Sequence, residues 1–164
     1  MKINYLIFLS LLFSFSAFSE NYDVCFTPSE RCDLKIIKNI DESKTEIDLM
    51  AYELTSENII TSLENAQKRK VNVIVILDKS QKRYYQKYHD LINDGAKIFI
   101  DYKPKIAHNK VIIFDNKKIL TGSYNFTMSA QWKNAENYVI IDSASLAKSY
   151  KNYFNSRISK SRYF

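Results

Sequence analysis

Val71-Asn72-Val73-Ile74-Val75-Ile76-Leu77 is the stretch from which the fold can be read. It is an almost unbroken run of branched residues, so an extended segment here has no polar side. Such a run predicts a strand buried on both faces, and therefore a sheet with helices packed above and below it. The flanking segments supply those helices. On the N-terminal side, Ser56 is a candidate N-cap, Ile59, Ile60, Leu63 and Ala66 follow at helical spacing, and Lys68-Arg69-Lys70 sits at the negative end of the helix dipole. Before that, Thr45–Tyr52 alternates as a strand, with Ile47, Leu49 and Ala51 on one side. Leu34, Ile37 and Ile40 predict a helix over residues 30–43.

On the C-terminal side, residues 80–93 predict a polar helix closed by Gly95, and Ala96–Ile100 a strand. Lys110–Phe114 and Lys118–Thr121 read as two strands joined by a tight turn at Asp115-Asn116-Lys117, and Tyr138–Ile141 as a further strand. Leu146, Tyr150, Phe154 and Ile158 repeat every fourth residue and predict a closing helix. The order is that of an α/β fold: a mixed, largely parallel sheet with helices on both faces, formed by one domain over residues 20–164. Only two Gly and two Pro among 164 residues fit regular elements rather than a loop-rich scaffold.

Residues 1–19 stand apart. Lys2 precedes an apolar run that ends in Ala17-Phe18-Ser19, the layout of a signal peptide, with an uncleaved membrane anchor as the alternative. Its removal leaves 23 basic and 18 acidic residues, a net charge of +5, which attracts polyanions: nucleic acid or an anionic membrane face. The two cysteines, Cys25 and Cys32, are expected to pair in an oxidising compartment, so the protein is expected to be exported, periplasmic or secreted. Two Cys and two His are too scattered for a zinc pattern. The sequence also lacks His-Glu-x-x-His, a phosphate-binding glycine loop and a dinucleotide fingerprint.

Of the two histidines, His89 lies on the polar helix and reads as a solvated surface residue. His108 instead precedes an apolar strand, and Lys110 two residues on shares its face if the segment is extended. Gly122-Ser123-Tyr124-Asn125 adds a hydroxyl and an amide where the next strand ends, and the glycine allows close backbone approach to a ligand. One nucleophile with several oxygen-directed donors suits a phosphate. Taken alone, His-x-Lys would read as a decorated strand edge.

The spacing His108-x-Lys110, four residues, Asp115, six residues, Gly122-Ser123-x-Asn125 resembles the signature of the phospholipase D superfamily. The resemblance extends to Cys25-Phe26-Thr27-Pro28, Ala51-Tyr52, Leu77-Asp78-Lys79-Ser80 and Glu136-Asn137, which are similar to segments of the small secreted bacterial nucleases of that superfamily. It implies a phospholipase D-like fold and a phosphodiesterase that needs no metal and no cofactor. His108 would attack phosphorus to give a phosphohistidine. Lys110, Ser123 and Asn125 would hold the non-bridging oxygens, and Glu136 would orient the imidazole. Asp115 would be mainly structural within the catalytic motif, with a plain turn aspartate as the alternative.

Double displacement needs a second proton-transfer group, which the family takes from a second motif. This chain has one motif, which predicts a homodimer with its active site on the two-fold axis. The substrate expectation is nucleic acid, DNA or RNA, cut without sequence preference. Lys79, Lys82, Arg83 and Tyr84 interleave charge and aromatic surface suited to phosphates and unpaired bases. The alternatives are a phospholipase acting on anionic phosphatidyl lipids and, outside catalysis, an inactive nucleic-acid-binding protein.

Overall fold

The computed structural model describes residues 21–164, so the expected signal segment lies outside the described residues. Strand β3 (Asn72–Asp78) holds the run that opened the reading, and its two faces are both covered. Val73, Val75 and Leu77 join the core beneath helices α1 (Cys32–Glu42), α2 (Glu57–Lys68) and α3 (Tyr85–Asn93). Ile76 joins a second core beneath α5 (Ala144–Ile158), where Ala147 and Phe154 are buried.

The sheet has eight strands: β1 (Asn21–Phe26), β2 (Glu46–Ala51), β3, β4 (Lys97–Asp101), β5 (Lys110–Phe114), β6 (Lys118–Gly122), β7 (Asn137–Asp142) and β8 (Arg162–Tyr163). Their spatial order is β1-β7-β6-β5-β2-β3-β4-β8. The sheet is mixed, as expected, but parallel pairing is confined to β2–β3 and β3–β4. The other five pairings are antiparallel, so the sheet is not largely parallel. Residues 102–109 contain no crossover helix, and the chain returns antiparallel on the far side of β2.

Other differences are local. The face of α1 that enters the core is Cys32, Ile36 and Ile40, whereas Leu34 is exposed and Ile37 only packs at the margin. The Cys25–Cys32 disulfide fixes the first turn of α1 to the end of β1 and so aims the helix. The polar helix expected over 80–93 is a 3-10 stretch, Lys79–Tyr84, followed by α3. A short helix α4 (Met128–Trp132) and the strands β1 and β8 have no counterpart in the sequence reading. Gly95, at φ +104, ends α3 as expected; the N–H groups of Gly95 and Ala96 bond the carbonyls of Ile92 and Leu91.

The turn after β5 is a three-residue hairpin loop, Asp115-Asn116-Lys117. Asp115 and Asn116 both have positive φ, and the Lys117 N–H donates to the Phe114 carbonyl at 2.9 Å. From that turn the Asp115 carboxylate accepts bonds from the backbone N–H groups of Lys44, Thr45 and Glu46 and from the Thr45 hydroxyl. Burial pushes this carboxyl up, but the bonds from Thr45 and Lys44 outweigh it and hold the group below the usual aspartate range. Its stabilisation is therefore present above the ordinary aspartate value and is lost as pH falls through the lowered one. Asp115→Ala should cost roughly 1–3 kcal/mol in neutral urea titrations. Asp115→Asn should cost less, because it keeps an acceptor and tolerates the left-handed backbone. An unchanged midpoint in both variants would show the bonds to be idle.

Candidate active site

The sheet pairings place the ends of seven strands in one transverse row. Cys25 opposes Tyr138, Tyr138 opposes Gly122, Lys110 opposes Ala51, Ala51 opposes Leu77, and Leu77 opposes Ile100. Gly122 and Lys110 lie one step beyond the Val111–Thr121 pair. β1, β2, β3, β4 and β6 finish at this edge, and β5 and β7 begin there. The segments carrying His108, Ser123, Asn125 and Glu136 therefore all leave the sheet at the same edge.

Lys110 is only 6% exposed, yet it forms no ion pair among the described residues. Its Nζ donates to the His108 carbonyl at 3.2 Å and lies 5.1 Å from the centre of the Tyr52 ring. The same tyrosine ring is 4.7 Å from the imidazole of His108, which is exposed. Tyr52 follows β2 directly, and its N–H donates to the Asn109 carbonyl at 2.8 Å. Burial lowers the Lys110 pKa; Glu136 and Glu53 pull it back only in part. The site thus contains a desolvated cation beneath an accessible histidine, with an aromatic wall beside both.

The loop before His108 is pinned from β3. Asp78 accepts from the Ala107 N–H at 2.7 Å and from the Ser80 N–H at 2.8 Å. Burial raises this carboxyl, but those bonds outweigh it and hold it below the usual range. Asp78 is a positioning residue for both the His108 loop and the Lys79–Tyr84 stretch.

Ser123 donates to Glu136 Oε2 at 2.5 Å and accepts from the Asn137 N–H at 3.1 Å. The other carboxylate oxygen of Glu136 accepts from Asn134 Nδ2 at 3.0 Å. Among the described residues, then, Glu136 holds Ser123 and Asn134 rather than the His108 ring that the resemblance implied. Its backbone is fixed by Thr27, whose hydroxyl accepts from the Glu136 N–H at 3.0 Å and whose own N–H donates to the Glu136 carbonyl at 2.9 Å. The side-chain oxygen of Asn125, an acceptor, is buried without a hydrogen-bond partner among the described residues. Gly122 serves a different purpose from the one expected. A Cβ there would sit 2.3 Å from the Asn137 carbonyl, so the glycine admits the backbone of β7, not a ligand.

Three expected residues sit elsewhere or act otherwise. Asp115 is grouped by spacing with the catalytic motif, but it lies at the far end of β5, about 16 Å along the strand from Lys110. Tyr84 is half-buried against the core, with the Arg83 guanidinium 4.7 Å over its ring. Lys79 donates to the Pro104 carbonyl at 3.2 Å, whereas Lys82 and Arg83 project from the same edge into solvent. His89 is a surface residue bonded to Asp90 and Asn93, as expected. Tyr52, Thr27, Asp78 and Asn134 were not assigned roles from sequence. Tyr52 and Asp78 were reachable, since each follows or ends a strand that finishes at the site. Among the described residues no three of His, Cys, Asp and Glu are grouped to hold a metal ion, and no helix is long and apolar enough to cross a membrane.

Comparison with known proteins agrees with this geometry. The family model for the cardiolipin synthase, PLD-like domain matches residues 36–158. Proteins named phospholipase D are similar: that of Rickettsia typhi is 41% identical over 146 residues, covering 88% of this chain and 72% of its own. That of Rickettsia conorii is 44% identical over 137 residues, covering 82% and 68%. Among solved structures, Nuc from Salmonella typhimurium, a phospholipase D family member, superposes with a TM-score of 0.84 at 32% identity, covering 89% of this chain and 99% of that one. The chain belongs to the phospholipase D family and is a phosphodiester hydrolase.

Proposed function

We propose that this protein cleaves nucleic acid without sequence preference, through a phosphohistidine on His108, without a metal, as an exported homodimer. The observation that carries the reading is the gathering of His108, Lys110, Ser123 and Asn125 at one sheet edge beside the exposed cations Lys82 and Arg83. An imidazole nitrogen of His108 attacks phosphorus; a P–N bond forms and the P–O bond to one nucleoside breaks. The leaving oxygen takes a proton from His108 of the partner subunit. That imidazole then removes a proton from water, whose oxygen attacks phosphorus, breaks the P–N bond and leaves a phosphomonoester. Lys110, Ser123 and the Asn125 amide hold the non-bridging oxygens. Glu136 acts through Ser123 as a positioning residue.

The half-site supports the dimer. His89 stands on α3 among its own surface partners, and Phe26, Ile106, Met128 and Trp132 leave apolar surface exposed at the site's edge for a second copy to cover. The Cys25–Cys32 bond fits export to an oxidising periplasmic or extracellular space. The relatives named phospholipase D favour a second reading, hydrolysis of phosphatidyl lipids by the same steps. The complete set of reactive groups speaks against an inactive nucleic-acid-binding protein.

Purified protein should degrade single-stranded DNA and RNA in EDTA, with rates that fall steeply as salt rises. Turnover restricted to cardiolipin or phosphatidylcholine would establish the lipid reading, and loss of all turnover on chelation would overturn the mechanism. His108→Ala should lower turnover on the order of 10⁴-fold or more while substrate still binds. Specific activity of the native protein should fall on dilution as the dimer separates; constant activity in a demonstrated monomer contradicts the shared site. Lys110 must be charged to hold the phosphoryl oxygens, and it loses its proton as pH rises through a lowered pKa. The profile of kcat/KM should therefore bend down below the ordinary lysine value of 10.5; a profile flat beyond that pH would remove Lys110 from the role.

A further inference from the structure

A cavity of about 370 Å³ opens along the site's edge beyond β4, lined by Lys82, Tyr85, Tyr102, Arg162, Tyr163 and Phe164. No Asp or Glu side chain lines it, whereas a cavity of similar size beside β1 carries Asp23, Glu42 and Asp142. Neither Lys82 nor Arg162 forms an ion pair among the described residues. The rings have different tasks. Phe164 stacks on Tyr85 at 5.4 Å and meets the buried Tyr88 edge-on, which closes the floor. Tyr85, Tyr102 and Tyr163 remain 45%, 37% and 61% exposed. The Arg162 guanidinium lies 5.4 Å from the centre of the Tyr102 ring, which fixes a cation and an aromatic face in one place. These features are aligned with the catalytic residues, because Arg162 opposes Ile100 and so extends the row that contains Lys110. Three strand spacings separate Lys110 from Ile100, about 14 Å.

We propose that this cavity is a subsite for one unpaired nucleotide of a single-stranded nucleic acid. Its base stacks on the exposed tyrosine rings and its phosphate is held by Lys82 and Arg162, a few nucleotides from the bond cut at His108. A concave aromatic wall with free cations and no competing acidic side chain is the chemistry that holds a base and its phosphate. The inference rests on the nuclease reading and adds a place to it. It also assigns a purpose to strand β8, which supplies Arg162 and Tyr163 and, among the described residues, pairs only with β4.

The test measures binding of the His108→Ala protein to two single-stranded ligands: a dinucleotide, and an oligonucleotide long enough to reach from His108 to the cavity. Tyr102→Leu and Arg162→Gln should each weaken the longer ligand by about tenfold and leave the dinucleotide unchanged. Tyr102→Phe should bind as the parent does, since the ring does the stacking. Arg162→Gln should also reduce the slope of log affinity against log salt by about 0.7, and Tyr102→Leu should not. In the active background, all three variants should hydrolyse bis(p-nitrophenyl) phosphate at the parent rate. If Tyr102→Leu does not fold, Tyr102→Phe and Arg162→Gln carry the comparison. Equal affinities for the longer ligand, or equal losses on both ligands, overturn the subsite while leaving the nuclease reading intact. A parent protein that hydrolyses the small diester but neither binds nor cuts oligonucleotides overturns both. Dependence of cardiolipin-vesicle binding, rather than oligonucleotide binding, on Arg162 and Tyr102 overturns the subsite in favour of a lipid surface.

Discussion

Ala51 sits opposite Lys110 because β2 and β5 run antiparallel, and this pairing reverses the direction of the sheet at its middle. On one side of β2, the strands β3 and β4 run with it and end at the site's edge. On the other side, β5 starts at that edge and β6 returns to it. Antiparallel pairing at this joint, at β5–β6 and at β6–β7 gathers strand ends and strand beginnings into one row, where loops from distant parts of the sequence meet. The register matters as much as the direction. A slip of one residue between β2 and β5 would carry Lys110 to the α5 face, away from the histidine it supports.

That geometry has an electrostatic cost, and the cost shows what the site is arranged to receive. Lys110 is buried and its charged form is disfavoured by desolvation, with no carboxylate in direct contact to offset it. Glu136 is close enough to act on it through space but is bound to Ser123 and Asn134. A buried cation left in this state is stabilised most by an incoming anion. On the proposed mechanism the field is built before the substrate arrives, which is the condition under which such groups act on charge that develops during reaction.

Much of this was legible in sequence for a physical reason. β3 carries its both-sided burial in its own residues, and His108, Lys110, Ser123 and Asn125 stand at spacings fixed by two short strands and a hairpin. What escaped depends on contacts between separated segments. The inward face of α1 is chosen by the Cys25–Cys32 bond and not by periodicity, since Leu34, Ile37 and Ile40 form an equally good stripe. β1 was unreadable because Tyr22 and Val24 stay exposed and only Cys25 is buried, so its alternation marks no core. Strand direction was misjudged because nothing in residues 102–109 announces that the chain crosses back over β3 and β2. The wall formed by Tyr52 and the hold of Thr27 on Glu136 join residues that no local pattern connects.

Asp115 shows how a residue far from the chemistry can belong to the same motif. It lies at the end of β5 away from Lys110, and its carboxylate gathers three consecutive N–H groups from the start of β2. At the first and third residues of that strand, on the α5 face, Glu46 and the fully buried Asp48 are both engaged by Lys151. The first turn of backbone in β2 is thus clamped from the neighbouring hairpin and from the helix above it. Polar pairs buried in this way add little net stability compared with apolar packing, but they discriminate strongly between registers, since any slip leaves a charge without a partner. Fixing β2 at its start fixes Ala51 and Tyr52 at its end, and with them the position of Lys110 beneath His108. The four residues between Lys110 and Asp115 are then the rest of β5: one end carries the cation, and the other holds the strand in the register that places it.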